Sequence, residues 1–215
     1  MFNWIFFTGA PGSRWSGVSQ VFRDTWEDAD NSDLLDPKKL YTHHKYSGHK
    51  GNYYGPKMLN GQWLGKEFGS FNLWQKEIAK SFTGLPNSVK VILSHNFAYY
   101  LDDIAKTFPK SKIVLCYRPN DVCYDWWHEA GGWGITYPSY EWYKNNGKYD
   151  YNTKASEVDN ANMKHEIEQQ NKAILDFCYE KGLTLEQPGK NWFRQNFKRN
   201  IDFKFEKDVW IAVYG

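Results

Sequence analysis

Three short stretches of this chain carry side chains suited to chemistry. Gly9-Ala10-Pro11-Gly12-Ser13-Arg14-Trp15-Ser16 is a glycine-rich turn with one cation. Ahead of a helix, such a turn brings backbone N–H groups close to an anion, because glycine permits close approach and the helix dipole favours negative charge. Ser94-His95-Asn96 places an imidazole, the side chain whose ordinary pKa near 6.5 lets it take or give a proton at neutral pH. Arg118-Pro119-Asn120-Asp121 adds a guanidinium, whose planar fork matches phosphate oxygens. Held together, the three would bind an anionic group and handle a proton. Taken singly, each has a structural use: a tight turn, a hydrogen-bonded histidine, a salt-bridged arginine.

The elements around these stretches predict that they meet. Trp4 to Thr8 is a bulky run that reads as a buried strand, and from Ser16 the residues Val18, Val21, Phe22 and Trp26 recur at helical spacing. Val89 to Leu93 is a β-branched strand leading into Ser94 and His95, followed by a helical pattern through Tyr99, Tyr100, Ile104 and Ala105. Lys112 to Tyr117 is a third strand, and Pro119 suits the first turn of a helix reaching about Glu129. Phe71, Trp74, Ile78 and Phe82 form another helical stripe. Ser156 with Asp159 resembles a capping box for a long helix carrying Met163, Ile167, Ile174, Leu175 and Cys178, closed by Gly182. Leu183 to Glu186 reads as a strand, Trp192 to Phe197 as a short helix and Asp208 to Tyr214 as a terminal strand. Strand alternating with helix predicts an α/β domain with a mainly parallel sheet. In such sheets ligands bind beyond the carboxyl ends of the strands, where all three stretches fall.

The loop is not a strict phosphate-binding P-loop, which would need Gly at position 14 and Lys at position 15. Strands two and three end in Ser-His and Tyr-Arg, so the aspartate that metal-dependent phosphoryl transfer requires is missing there. A nucleotide kinase is therefore the weakest of the enzymatic readings. His43, His44 and His49 share one loop without a carboxylate or thiolate neighbour, a poor metal set. Three cysteines, Cys116, Cys123 and Cys178, lack CxxC spacing and predict neither disulfides nor zinc, which fits a reducing, cytoplasmic setting.

These loops resemble those of the sulfotransferases, P-loop-fold enzymes that move a sulfuryl group from 3′-phosphoadenosine-5′-phosphosulfate to a hydroxyl or amine. The family's first motif, P-[KR]-S-G-[TS]-[TS], is similar to Pro11-Gly12-Ser13-Arg14-Trp15-Ser16, with glycine and the basic residue in swapped order. Leu93-Ser94-His95 is similar to the family's K-[ST]-H, and Ile113 to His128, IVLCYRPNDVCYDWWH, to its 3′-phosphate motif. The resemblance covers about residues 3 to 25 and 89 to 130 and implies a three-layer α/β/α domain of P-loop type with a mainly parallel central sheet. It implies that Pro11, Gly12, Ser13, Arg14, Trp15 and Ser16 hold the 5′-phosphosulfate, that Arg118 grips the 3′-phosphate, and that His95 is the base, with Arg14 supplying charge. The motif lysine falls on Gly12 and the motif serine, which shares the 3′-phosphate, on Asp125. The donor would be the only cofactor and no metal is implied. Gly189-Lys190-Asn191-Trp192, Arg194, Lys198 and Arg199 loosely echo the family's third motif.

The composition bounds these readings. A chain of 215 residues with net charge +2 predicts one domain and excludes a strongly basic nucleic-acid binder. No stretch approaches the ~18 apolar residues of a membrane span. Leu, Ile, Val and Phe make only about a fifth of the chain, near the ~20% line of disordered proteins, yet aromatics make 19%. Rings must therefore supply bulk that aliphatics do not. Phe6, Phe7, Trp74, Phe82 and Trp126 are expected in the core. Rings among glycines at 41–63 and 133–151 are expected to form a binding surface, for a carbohydrate or small-molecule acceptor or for the donor, and 28–69 reads as a loop-rich insertion. The alternative function is a non-catalytic protein of this fold that binds glycan or protein through those rings.

Overall fold

The computed structural model describes residues 4–25, 29–30, 52–53, 88–129, 157–201 and 204–215. The stripe from Phe71 to Phe82, the Ser156 cap, the aromatic stretch 131–151 and most of segment 28–69 lie outside those residues. The chain is an α/β domain with a mainly parallel sheet. Its strands are β1 (Trp4–Gly9), β2 (Ala29–Asp30), β3 (Asn52–Tyr53), β4 (Val89–Leu93), β5 (Lys112–Tyr117) and β6 (Trp210–Tyr214). The order is β2-β4-β1-β5-β6, with β3 also on β4. All pairings are parallel except β5 with β6. Two dipeptides of the loop-rich segment thus add backbone pairs to the sheet, a contribution too short for side-chain periodicity to announce.

The helices are α1 (Trp15–Thr25), α2 (Leu101–Thr107), α3 (Asn120–Glu129), α4 (Glu157–Glu180) and α5 (Lys190–Phe197), with a 3-10 segment over His95–Tyr100 ahead of α2. Strand side chains alternate between faces. One face carries Ile5, Phe7, Val91, Leu93, Val114 and Cys116, and packs on Val18 and Phe22 of α1 and Phe193 and Phe197 of α5. The opposite face carries Phe6, Ile92, Ile113 and Leu115, and packs on Leu101 and Ile104 of α2 and Ile174 and Phe177 of α4. Both faces being covered explains why the central strands are continuous apolar runs.

Rings do fill the core. Phe22 meets Phe7 at 5.1 Å, Phe193 at 5.3 Å and Phe197 at 4.5 Å between centroids. Across the sheet Phe6 meets Phe97 at 5.7 Å and Phe108 at 4.9 Å. At roughly 1.5–3 kcal/mol for each large side chain fully buried, these rings carry much of what holds the layers together. Trp127 is buried, but Trp126 is only half-buried and lies outside the apolar clusters.

Two further expectations change. Leu175 is 41% exposed, and Phe177 takes its place in the stripe of α4. Leu183 to Glu186 makes one bridge, Glu186 to Ile211, in place of a strand, with Leu183 and Leu185 packed against the core cluster beside α4. Helix α4 ends as expected at Gly182, whose φ of +63° lets Leu183 N–H reach the Cys178 carbonyl at 2.8 Å. Among the described residues no helix is long and apolar enough to cross a membrane.

The loop after β1 is bent by Gly12, at φ +86°. A Cβ there would collide with the Cys123 carbonyl of α3, whereas one on Gly182, at φ +63°, meets nothing within 4 Å. Gly182→Ala is therefore expected to cost about 1 kcal/mol of backbone strain. Gly12→Ala adds a collision between two backbones and should cost clearly more, at least roughly 2 kcal/mol. Urea midpoints of the two variants measure the difference; equal losses would show that loop and helix are not in contact.

Candidate functional site

The register brings the three strand ends to one level. Phe7 lies beside Leu93 and Gly9 beside Cys116, so the chain leaves β1, β4 and β5 at the same end of the sheet, within about three residues of each other. The exits then diverge. From β1 the chain enters α1 on one face, while the segments after β4 and β5 pack toward α4 on the other. Because β1 lies between two strands that follow it in the chain, this divergence falls at a reversal of strand order, the usual ligand position in such sheets.

The glycine loop has an alternating backbone. Pro11 has the negative φ its ring imposes, Gly12 is at +86°, Ser13 is not among the positive-φ residues, and Arg14 is at +71° before helical Trp15. Alternation of this kind curls successive N–H groups toward one point at the mouth of α1, a backbone form suited to an anion. Ser13 N–H closes the turn on the Ala10 carbonyl at 2.9 Å, and Val18 N–H opens the helix on the Arg14 carbonyl at 3.0 Å. Gly9 is equally constrained, since a Cβ there would collide with Ser13 Oγ and stand 2.6 Å from the Cys116 carbonyl. Pro11 and Ser13 are buried, Ser16 is half-buried, and Trp15, 4% exposed, sets its ring 6.5 Å from that of His95.

His95 is 2% exposed at the start of the 3-10 segment. Its backbone carbonyl accepts from Thr8 Oγ1 at 3.2 Å, which ties the end of β4 to β1. Its Nδ1 faces the Gln170 side chain of α4, 3.0 Å from Nε2 and 3.3 Å from Oε1. Gln170 Nε2 also donates to Glu166 Oε2 at 3.3 Å, and Tyr99 Oη donates to the same oxygen at 2.7 Å. Burial pushes the imidazole down to about 4, against a smaller upward pull from the Gln170 hydrogen bond.

Arg118 is 4% exposed. Asp208 takes its fork from both sides, Nε to Oδ1 at 2.9 Å and Nη2 to Oδ2 at 3.1 Å, and Nη1 makes a long 3.5 Å contact to the Gly12 carbonyl. The Arg118 carbonyl accepts from Asn171 Nδ2 at 2.8 Å. Arg14 donates from Nε to Glu206 at 3.2 Å. Both guanidiniums stand by Trp126, Arg14 at 4.6 Å and Arg118 at 5.3 Å from the ring centroid. The ring placed in the core by its sequence spacing is held by cations at the loop, because α3 turns it toward them.

The sequence-predicted residues thus divide. Pro11 to Ser16, His95 and Arg118 come together, while Asp125 is exposed on α3 and no hydrogen bond or ion pair among the described residues ties it to the loop. Trp192 of the loose third motif is buried in the core, and Arg194, Lys198 and Arg199 are exposed around α5. Gln170, Glu166, Asn171, Glu206 and Asp208 complete the site and were not singled out by spacing. Three of them, Glu166, Gln170 and Asn171, are polar residues on the buried stripe of α4, and that break in an apolar pattern was the available signal. Among the described residues no cluster of His, Cys, Asp and Glu could hold a metal ion. All three thiols are buried, and burial pushes Cys123 up to about 12, far from a nucleophile. No protein-family model, curated protein or solved structure matches this chain.

Burial of a neutral histidine has a thermodynamic signature. Between about 6.5, its ordinary value, and about 4, its folded value, the unfolded chain binds a proton at this site and the folded chain does not. Stability therefore falls as pH drops through that window, by roughly 3 kcal/mol at 1.36 kcal/mol per pH unit, and levels off below it. Urea unfolding of the wild type and of His95→Gln across pH 7 to 4 isolates the contribution. The difference between the two free energies is expected to shrink toward low pH; a constant difference would mean that His95 titrates normally.

Proposed function

We propose that this protein is a sulfotransferase that binds 3′-phosphoadenosine-5′-phosphosulfate in the strand-end crevice and passes its sulfuryl group to an acceptor hydroxyl or amine. We read the domain accordingly as a three-layer α/β/α unit of P-loop type. The observation that carries the proposal is the alternating backbone of Gly12 to Trp15 at the mouth of α1, beside a buried imidazole, at the reversal of strand order.

In the reaction the acceptor oxygen or nitrogen bonds to sulfur as the bond from sulfur to the bridging phosphate oxygen breaks. The electron pair leaves with the phosphate, and the acceptor's proton is released. The transition state is loose, so catalysis is mainly positioning and charge stabilisation. The loop N–H groups would hold the phosphosulfate, and Arg14, at the first turn of α1, would add positive charge. A 3′-phosphate at Arg118 would compete with Asp208 for the fork. Support for metal-free chemistry is the pair of guanidiniums at the loop, which supply the cationic charge a metal would otherwise bring.

The two carboxylates also favour a second reading. Glu206 and Asp208 already pair with Arg14 and Arg118, as expected if the loop is a structural joint in a protein that binds glycan or protein elsewhere. Calorimetry with adenosine 3′,5′-bisphosphate, the product of the donor, separates the two. Under the sulfotransferase reading the wild type releases heat saturably, Gly12→Ala loses at least roughly tenfold in affinity, about 1.4 kcal/mol, and Asp125→Ala is unchanged or tighter. No heat with the wild type would remove the donor site and favour the second reading.

A further inference from the structure

The buried polar chain on α4 determines where His95 carries its proton. Glu166 Oε2 accepts two hydrogen bonds, from Tyr99 Oη at 2.7 Å and from Gln170 Nε2 at 3.3 Å. That fixes which end of the Gln170 amide is which. Turned over, the amide would set its oxygen against the carboxylate oxygen, two acceptors in contact inside a region where Glu166 is 2% and Gln170 0% exposed. With the amide so held, Gln170 Nε2 sends its second hydrogen to His95 Nδ1 at 3.0 Å. An Nδ1 that accepts a hydrogen bond has no proton of its own, so the neutral ring must carry its hydrogen on Nε2. The amide oxygen, 3.3 Å from Nδ1, is the more distant partner and serves only a ring that has taken a second proton.

We infer that Tyr99, Glu166 and Gln170 are positioning residues that lock His95 as the Nε2–H tautomer, so that it meets an anionic group as a hydrogen-bond donor and does not take the acceptor's proton. The functional half of this inference rests on the sulfotransferase reading. In that reaction the Nε2–H would stabilise charge on the transferring group or the departing phosphate, and the acceptor's proton goes to water. A loose transition state suits this, because the acceptor becomes strongly acidic only as its bond to sulfur forms. The Glu166 carboxylate acts two hydrogen bonds away from the ring, through an amide that cannot carry the proton onward. That is the difference between a lock and a relay.

The tautomer is tested on the full chain without any ligand. In nitrogen-15 spectra of histidine-labelled protein at pH 7, the signals missing from His95→Gln identify the ring. An unprotonated Nδ1 with a protonated Nε2 is expected, and the reverse overturns the assignment. Glu166→Gln releases the amide, and a shift toward a mixture of tautomers is expected; an unchanged spectrum removes Glu166 from the lock. Gln170→Glu presents an acceptor alone, which should move the proton to Nδ1 and leave Nε2 as a base. With donor and acceptor supplied, a donor role predicts that Gln170→Glu lowers kcat at least roughly tenfold with KM for the donor little changed, whereas a base role predicts a rise. Should Gln170→Glu not fold, Glu166→Gln keeps the size, removes the charge, and must lower kcat in proportion to the Nδ1–H fraction; unchanged kcat overturns the donor role. Failure to bind adenosine 3′,5′-bisphosphate would sink the sulfotransferase reading together with the donor role, while the nitrogen-15 result would still decide the tautomer.

Discussion

A guanidinium sealed from water must be paired, and the pairing of Arg118 organises this end of the molecule. An isolated buried charge costs several kcal/mol, so the fork of Asp208 on Arg118 is a condition for the strand ends to close at all. Through one residue four segments are fixed. The side chain joins the end of β5 to the approach of β6 and touches the Gly12 carbonyl, while the backbone carbonyl takes Asn171 of α4. Gly12 is pressed so closely on Cys123 that no side chain fits between loop and helix. The shape of the glycine loop is therefore decided from outside it.

The same economy of charge sets the electrical character of the crevice. Two cations, Arg14 and Arg118, stand beside one indole, and two carboxylates, Glu206 and Asp208, answer them from a single stretch before β6. The histidine beside them is neutral, since burial disfavours its charged form more than its hydrogen bond favours it. Backbone dipoles and guanidiniums are thus balanced there by two acidic side chains, with no fixed positive charge on the imidazole. Tyr99, Glu166 and Gln170 extend this buried polar chemistry into the opposite layer. A polar network inside an apolar face is costly unless each member is satisfied, which makes its geometry specific.

Much of the framework was legible because its physics is local. Ile113 to Cys116 and Val91 to Leu93 are apolar on both alternating faces, which only a strand covered on both sides requires. The aromatic excess was a sound guide to a ring-filled core around Phe22 and Phe6. Trp126 and Leu175 went the other way for one reason: on a short helical face the boundary between core and rim depends on what packs against it. Asp125, matched to a motif position by likeness, is exposed on α3. Gln170 and Glu166 are separated from His95 by about seventy residues of sequence, a gap that no spacing rule spans.

By itself the sequence determined the four longer strands, the described helices and the positions of the glycine loop, His95 and Arg118 at strand ends, because periodicity and backbone preference act over a few residues. Only the tertiary structure decided what those residues meet. The partners of Arg118 and Arg14 come from the far end of the chain, and the partner of His95 from the buried face of α4. Hydrogen bonds and burial, which set charge state and tautomer, are properties of neighbours in space, and the sheet order that makes them neighbours is not written in any one segment.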